Sequence, residues 1–326
     1  MNIRFENLKK SIAERIFPVY LIEGEDSFFR ARAVELIKQA ILKEPDFNLT
    51  RYEGERLKGN ADALVMDLRS IPFMSDYRVV EVSDWQPNAT EIKGEIKNYL
   101  QSPCAESVLI VVNKGKCESL KKFECVCVVD CAKADMPVII KYIRYKATKA
   151  NLIIADSTAR MIIEYSLFDM AKIDKEIDKL IDYSSGEVEI TPSAVEKIVT
   201  KDADYKIYEI VGFIAKKNYA KVYEVLNEVT TPAEKQQIFA SLYYHFRRLF
   251  YASVFKGDVK TLAQYLGEKE YTMRMAKEQA AFFSPTRLVG IVEKLAAYDG
   301  DFKSGRITAE SAYELAVFFV LSGDRA

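Results

Sequence analysis

The amino-acid sequence predicts an α/β domain with a parallel sheet, followed by an all-α region. Three short apolar runs, at residues 19–22, 77–82 and 108–112, are separated by stretches with helical periodicity. Strands that alternate with helices in this way are typical of a parallel sheet with helices on its faces. From Met136 onward the strand signals stop, and the remaining segments have the period of packed helices.

The chain length predicts three domains. Its 326 residues exceed what one hydrophobic core usually organises, since a domain has roughly 100–200 residues. We expect an α/β domain over residues 1–136, a small helical domain over residues 137–204 and a helical bundle over residues 205–326. The composition, with 49% hydrophobic and 29% charged residues, supplies enough apolar side chains for such cores.

The elements follow from local patterns along the chain. The first apolar run lies between Pro18 and Gly24 and leads into a helical pattern with Val34 and Ile37 on one face, which predicts strand, loop and helix. Helix-like stretches at residues 60–69 and 91–100 precede the second and third strands. In the all-α region, the first helices are predicted at residues 137–149, 157–165, 170–183 and 192–201.

Helix boundaries are well marked in the last 120 or so residues. Thr231 with Glu234 predicts a capping box, and Ser284 before Pro285 predicts a helix that begins with proline. Gly267 is expected to end another helix. These signals predict helices packed on one another as a bundle.

Charge and cysteine content indicate the kind of environment. Lys and Arg (47) nearly balance Asp and Glu (48), so contact with nucleic acid would need a local basic patch. The charged N-terminal stretch and the lack of a long apolar run predict neither signal peptide nor membrane span, hence a cytoplasmic protein. An odd number of cysteines, five, fits reduced thiols in that compartment.

Four cysteines lie within 15 positions: Cys117, Cys125, Cys127 and Cys131. Four nearby thiols are a possible zinc site, but the two CxxC knuckles are missing. The stretch around Cys127 resembles a buried strand, in which cysteine behaves as a small hydrophobic residue. The pattern favours core cysteines over metal, and we expect neither a metal nor a cofactor.

The loop after the first strand has the position of a phosphate-binding loop. Laid over GxxxxGK[ST], residues 24–31 keep the first glycine, Gly24, but have Phe29, Arg30 and Ala31 where glycine, lysine and the hydroxyl residue belong. The third apolar run ends in Asn113, not in the acidic residues that hold magnesium. We therefore expect a degenerate, non-functional P-loop and no catalytic residues. A packed or surface role is expected for the single histidine, His245.

A second feature is an apolar pair in a connection. Residues 70–76 join a helical stretch to the second strand and contain Pro72, Phe73 and Met74. Proline and the Ser-Asp sequence mark an interrupted segment, whereas Phe and Met are suited to a pocket on another protein. The residue types alone leave open whether the pair binds a partner or folds back onto the sheet edge.

Four motifs, in this order, resemble the delta subunit of the bacterial DNA polymerase III clamp loader: YLIEGEDSFF, SIPFMSDYRVVEV, DKEIDKLIDYSSGEVEIT and DFKSGRITAESAYEL. The resemblance covers nearly the whole chain. It implies a RecA-like AAA+ domain, a small helical lid and a C-terminal collar that assembles with other loader subunits. The sequence also lacks the SRC arginine-finger segment found in the motor and delta-prime subunits.

The resemblance also implies a function. In that family a hydrophobic pair inserts into the sliding clamp, and this pair falls on Phe73 and Met74, with Leu68 and Ile71 as candidates for packing behind it. The subunit opens the ring for loading onto primed DNA without hydrolysing ATP itself. Its expected setting is a hetero-pentamer with motor and delta-prime subunits, a component of the DNA polymerase III holoenzyme.

Two further expectations remain open. Loaders enclose primer-template DNA, so Lys303 and Arg306 are possible DNA contacts. The main alternative function is an active or nucleotide-binding AAA+ ATPase with an unorthodox P-loop, and a helical adaptor outside replication is another. Nucleotide binding would separate the ATPase from the protein-binding subunit.

Overall fold

The computed structural model describes residues 1–58, 61–227 and 229–322. The chain divides into two compact units, Met1–Asp135 and Met136–Ala326. The sequence placed the end of the α/β domain one residue further on. Asn60, at the start of the predicted helix 60–69, and the last four residues of the predicted collar lie outside the described residues.

The first unit is built on one parallel sheet. Among the described residues it has six strands in the order β1-β6-β2-β5-β4-β3, and all neighbouring strands are parallel. The strands are β1 (Asn2–Arg4), β2 (Val19–Glu23), β3 (Leu49–Glu53), β4 (Arg78–Ser83), β5 (Ser107–Asn113) and β6 (Val126–Asp130). β2 and β5 are almost entirely buried, as expected of strands covered on both faces.

Helices alternate with these strands along the chain. They are α1 (Leu8–Glu14), α2 (Ser27–Ile41), α3 (Pro45–Asn48), α4 (Asp62–Leu68) and α5 (Gly94–Gln101). The helix α5 begins three residues later than predicted, because the Asn88 side chain accepts hydrogen bonds from the backbone N–H groups of Thr90 and Glu91 and holds a turn there.

Two strands of this sheet were not predicted. β1 has only three residues, too few for a periodic signal. β3 is an edge strand with no fully buried residue and with Arg51 at its centre, so it contains no apolar run. Short or half-exposed strands therefore gave no signal, whereas the central strands did.

The second unit is mostly helical. Its helices are α6 (Met136–Lys149), α7 (Asp156–Tyr165), α8 (Met170–Tyr183), α9 (Pro192–Ile198), α10 (Ala203–Ala215), α11 (Tyr219–Asn227), α12 (Pro232–Val254), α13 (Val259–Leu266), α14 (Glu270–Ala280), α15 (Pro285–Lys303) and α16 (Ala309–Leu321). The prediction that strands stop at Met136 was wrong in one detail. Two residues each in β7 (Ile153–Ile154) and β8 (Glu189–Ile190) form a small parallel pair.

The helix boundaries read from the sequence are confirmed at α12, α13 and α15. Thr231 and Glu234 form the full capping box of α12. Gly267 ends α13 with a φ of 67°, the left-handed region that favours glycine. Pro285 lies at the start of α15, where the Ser284 side chain accepts from the Arg287 N–H. Because α12 packs against α10, α14, α15 and α16, it forms the centre of the bundle.

The predicted division of the helical part after residue 204 stays a prediction. Residues on both sides of that point pack together: the rings of Tyr165 and Tyr205 lie 4.9 Å apart, and those of Phe168 and Tyr271 lie 4.4 Å apart. Such aromatic contacts explain why the two predicted helical domains form one compact unit.

Three of the five cysteines, Cys117, Cys127 and Cys131, are buried, in agreement with a core role. Burial raises the pKa of Cys127 to about 11 and that of Cys131 to about 12. The described residues contain no group of His, Cys, Asp or Glu side chains arranged to hold a metal ion. Within the same ranges, no helix is both long and apolar enough to cross a membrane.

Candidate functional site

The connection between α4 and β4 presents large apolar side chains to solvent. Phe73 is 54% exposed, Met74 is 80% exposed and Ile71 is 84% exposed. Exposure of this extent favours a pair that binds a partner over a pair that folds back onto the sheet edge. Apolar surface of this kind is costly to leave in water, which favours a partner that covers it.

The backbone beneath the pair is held by one buried side chain. Asn48, at the end of α3, accepts a hydrogen bond from the Phe73 N–H at 2.7 Å and donates one to the Phe73 carbonyl at 2.8 Å. Its amide also donates to the Lys43 carbonyl at 2.9 Å. Since Asn48 is fully buried, these bonds are shielded from competing water.

Two further contacts surround the segment. The Phe73 ring lies 5.0 Å from the ring of Phe47, which is itself 59% exposed. Lys43 pairs with Asp76 at 3.0 Å. Met74 has a φ of 49°, a left-handed conformation that costs a residue with a Cβ about 1 kcal/mol or more. The segment thus displays its side chains on a constrained backbone.

The structure separates the two residues expected to pack behind the pair. Leu68 is fully buried at the end of α4, in the core of the sheet domain. Ile71, by contrast, does not pack behind Phe73 and Met74, because its side chain is in solvent. Ile71 therefore belongs to the exposed surface. Leu68 can affect that surface only by stabilising the core of the domain.

Phe47 and Asn48 were missed by sequence reasoning. Phe47 gave the same signal as Phe73, a large apolar residue in a short polar segment next to proline. Asn48 carried no such signal, since its contact with Phe73 joins segments that are far apart in sequence.

The second candidate site is the loop between β2 and α2. Gly24 has a φ of 143°, and a Cβ placed on it would lie 2.2 Å from the backbone carbon of Cys131. The Asp26 N–H donates to the Cys131 carbonyl at 3.1 Å. The loop is thus closed against the residue that follows β6, and glycine is required for that approach.

The N-terminus of α2 is occupied by the chain's own groups. The Asp26 carboxylate accepts from the N–H groups of Phe28 and Phe29, at 3.0 and 3.2 Å. These are the amides that would otherwise be offered to a phosphate. Arg30, at the position of the P-loop lysine, donates to the Gly24 carbonyl, so its charge is turned back onto the loop.

The other positions compared with an ATP site are packed, apolar or bonded within the chain. Phe29 is buried, and its ring lies 4.7 Å from that of Phe5. Ala31, in the place of the magnesium-binding hydroxyl, has no polar side-chain group. At the end of β5, the Asn113 amide donates to the Trp85 carbonyl at 2.8 Å. None of these side chains is arranged to bind a triphosphate with magnesium.

His245 is a packed residue, as expected from its helix. It is buried, and its Nε2 lies 2.7 Å from the Gln279 Oε1. The Gln279 Nε2 donates to the Tyr208 carbonyl at 2.7 Å, which orients the amide so that its oxygen faces the imidazole. His245 is then the donor through Nε2, and burial lowers its pKa from 6.5 to about 4.

The two possible DNA contacts are exposed but locally paired. Lys303 Nζ lies 2.6 Å from the Asp299 carboxylate, and Arg306 lies 3.1 Å from that of Asp301. Each cation is therefore partly neutralised by an acid a few residues away. They do not form a strong basic patch by themselves.

The sheet order, the strand-loop-helix at β2 and the helical second unit define a RecA-like AAA+ domain joined to a mostly helical part. The comparisons with known proteins agree. The family model for the DNA polymerase III delta subunit matches residues 20–138, and the model for the C-terminal domain of that subunit matches residues 204–320.

Individual proteins are similar over nearly the full length. DNA polymerase III subunit delta of Bacillus subtilis (strain 168) is 22% identical, over 97% of this chain and 96% of that protein. The solved structure of the Bacillus subtilis DNA clamp loader delta protein superposes with a TM-score of 0.79 at 21% identity, over 98% of this chain and 99% of that one. The chain belongs to the family of DNA polymerase III delta subunits, the clamp-loader delta proteins.

Proposed function

We propose that this delta subunit binds one face of the sliding clamp through Phe73 and Met74. The observation that carries the proposal is their exposure on a backbone held by Asn48. An aromatic and a thioether side chain at a fixed tip are suited to a hydrophobic pocket, and their rigid backbone lowers the entropy lost on binding. Ile71, exposed in the same segment, extends the apolar area.

We further propose that this contact opens the ring for loading onto primed DNA. Binding energy can open a ring only if the open form is bound more tightly than the closed form. ATP bound to the motor subunits of a hetero-pentamer, which also contains delta-prime, controls the cycle. The cap at Asp26, the buried Phe29 and the inward Arg30 support a subunit that does not hydrolyse ATP.

The clamp of the same organism provides the direct test. Wild-type protein should bind it, and the double variant Phe73→Ala/Met74→Ala should lose most of the affinity, since hot-spot residues contribute about 2 kcal/mol or more each. Phe282→Ala, which removes a 62% exposed ring from the helical unit, is a matched control and should bind like wild type. No binding by wild type, or equal binding by the double variant, contradicts the proposal.

Ring opening needs a separate measurement. In a clamp variant with a disrupted subunit interface, no binding energy is spent on separating the clamp subunits. Delta should therefore bind this variant more tightly than the closed ring. Equal affinity for both forms would leave clamp binding intact but contradict ring opening by delta.

The competing function, an AAA+ ATPase with an unorthodox loop, makes the opposite prediction for nucleotide. Calorimetric titration of the full chain with ATP and magnesium should give no binding in the micromolar range. Micromolar affinity together with magnesium-dependent hydrolysis would favour the ATPase.

A further inference from the structure

An aromatic side chain from a second segment lies beside the proposed clamp-binding pair. Phe47 belongs to the short helix α3, well before Phe73 in the sequence. The two ring centroids are 5.0 Å apart, with 46° between the ring planes. This separation is within the range in which aromatic rings attract each other.

The position of Phe47 relative to Phe73 is fixed mainly by the backbone. Asn48 follows Phe47 directly and bonds both polar backbone groups of Phe73. The Phe47 carbonyl accepts from the Arg78 guanidinium at 3.3 Å, so a side chain of β4 also holds this turn. The backbones of the two phenylalanines are therefore held next to each other, so little backbone freedom remains to be lost on binding.

The hydrophobic core gives no reason for a phenylalanine at position 47. Its ring is 59% exposed, so most of it contributes nothing to the core. Around the apolar centre formed with Phe73, Lys43 and Asp76 provide a charged rim. An aromatic centre inside a charged rim is the usual arrangement of a protein-protein contact.

We propose that Phe47 is a further clamp-binding residue, which enters the contact together with Phe73 as an aromatic pair. The inference rests on the proposed function, because the clamp is chosen as the partner through the direct contact of Phe47 with Phe73. The clamp surface would be apolar and wide enough for both rings. The chain then binds the clamp with two segments, the α3 turn and the α4–β4 connection.

The test measures the affinity of the full-length chain for the clamp of the same organism. Phe47→Ala should weaken binding at least about tenfold, as expected for a buried aromatic contact, whereas Phe47→Leu should retain part of the affinity. The matched control is Phe282→Ala, since that ring has nearly the same exposure, 62%. Thermal unfolding should show little change for Phe47→Ala, because the removed ring is mostly outside the core.

The outcomes separate the two proposals. If Phe73→Ala/Met74→Ala loses binding but Phe47→Ala binds like wild type, the role of Phe47 is overturned and the proposed function stands. If wild type does not bind the clamp, both fail. Self-association of the chain that Phe47→Ala abolishes, with unchanged clamp affinity, would assign the ring to a contact between copies and also overturn this proposal.

Discussion

Asn48 bonds both the N–H and the carbonyl of Phe73, with donor-acceptor distances of 2.7 and 2.8 Å. One buried amide thus fixes the tip that carries the proposed clamp contact. An asparagine is suited to this, because its oxygen accepts while its NH₂ group donates twice. Neither aspartate nor leucine, which are similar in size, offers both functions.

Asn48→Ala should therefore reduce both stability and clamp affinity. The lost bonds leave polar backbone groups of Phe73 and Lys43 without their partner, at a cost of about 1–3 kcal/mol in the free energy of unfolding. Asn48→Asp keeps the acceptor for the Phe73 N–H, but at neutral pH it buries a carboxylate oxygen against the carbonyls of Phe73 and Lys43, so it should be no more stable than Asn48→Ala. Urea denaturation and clamp titration measure the two effects.

A double variant tests whether Asn48 acts on clamp binding through Phe73. In a Phe73→Ala background, Asn48→Ala should weaken clamp binding little further, since the side chain that it positions is already gone. Additive losses of affinity would show that Asn48 has a general structural effect instead.

Asp26→Ala should destabilise the first unit by about 1 kcal/mol, the usual effect of losing a helix N-cap. Glu25→Ala is the matched control in the same loop, because Glu25 makes only an exposed ion pair with Lys133 among the contacts described. Such a pair contributes about 0–1 kcal/mol. An Asp26→Ala protein that is as stable as wild type in urea denaturation would contradict the capping role of Asp26.

Replacement of two glycines by alanine should change the stability of the protein in opposite directions. At Gly24 a Cβ would overlap the backbone of Cys131, and the φ of 143° is unfavourable for alanine, so Gly24→Ala should cost about 3 kcal/mol or more. At Gly290, inside α15, a Cβ meets nothing within 4 Å. Gly290→Ala should stabilise the helical unit by about 0.5–1 kcal/mol.

Thermal unfolding of both variants tests this contrast. A stable Gly24→Ala protein would mean that the loop after β2 is not closed against Cys131. The glycine would then be better explained as a remnant of a phosphate-binding loop than as a present structural need.

The fold class could be predicted because its main signals are local. Buried strands such as β2 and β5 are continuous apolar runs, and caps such as Thr231 are read from neighbouring residues. The departure of the loop from the P-loop motif could also be recognised, since Phe29 and Arg30 stand at defined motif positions. Local signals are sufficient wherever a role depends on a residue and its near neighbours.

The surface around Phe73 could be predicted only in part. Its apolar character was visible, but its exposure depends on how the chain around it folds, which is why Ile71 was wrongly placed behind the pair. The contacts of Phe73 with Phe47 and Asn48 join distant segments, and no spacing rule marks them. Non-local hydrogen bonds of buried polar side chains cannot be predicted from a single sequence.

His245 makes the stability of the helical unit depend on pH. Its pKa is about 4 in the folded chain, against 6.5 when exposed, so the unfolded state binds the proton more readily between these values. Stability from this group is complete above about pH 6.5 and is lost as pH falls toward 4. A difference of this size corresponds to roughly 3 kcal/mol at most.

The single histidine of the chain allows a clean comparison. His245→Gln can still donate to the Gln279 Oε1 but does not titrate, while all carboxylates are unchanged. The difference in unfolding free energy between wild type and variant, measured by urea denaturation from pH 7.5 to 4.5, should therefore shift in favour of the variant as the pH falls. A difference that is constant over this range would mean that His245 is protonated in the folded protein or reaches water. In either case the hydrogen bond to Gln279 would not hold a neutral imidazole.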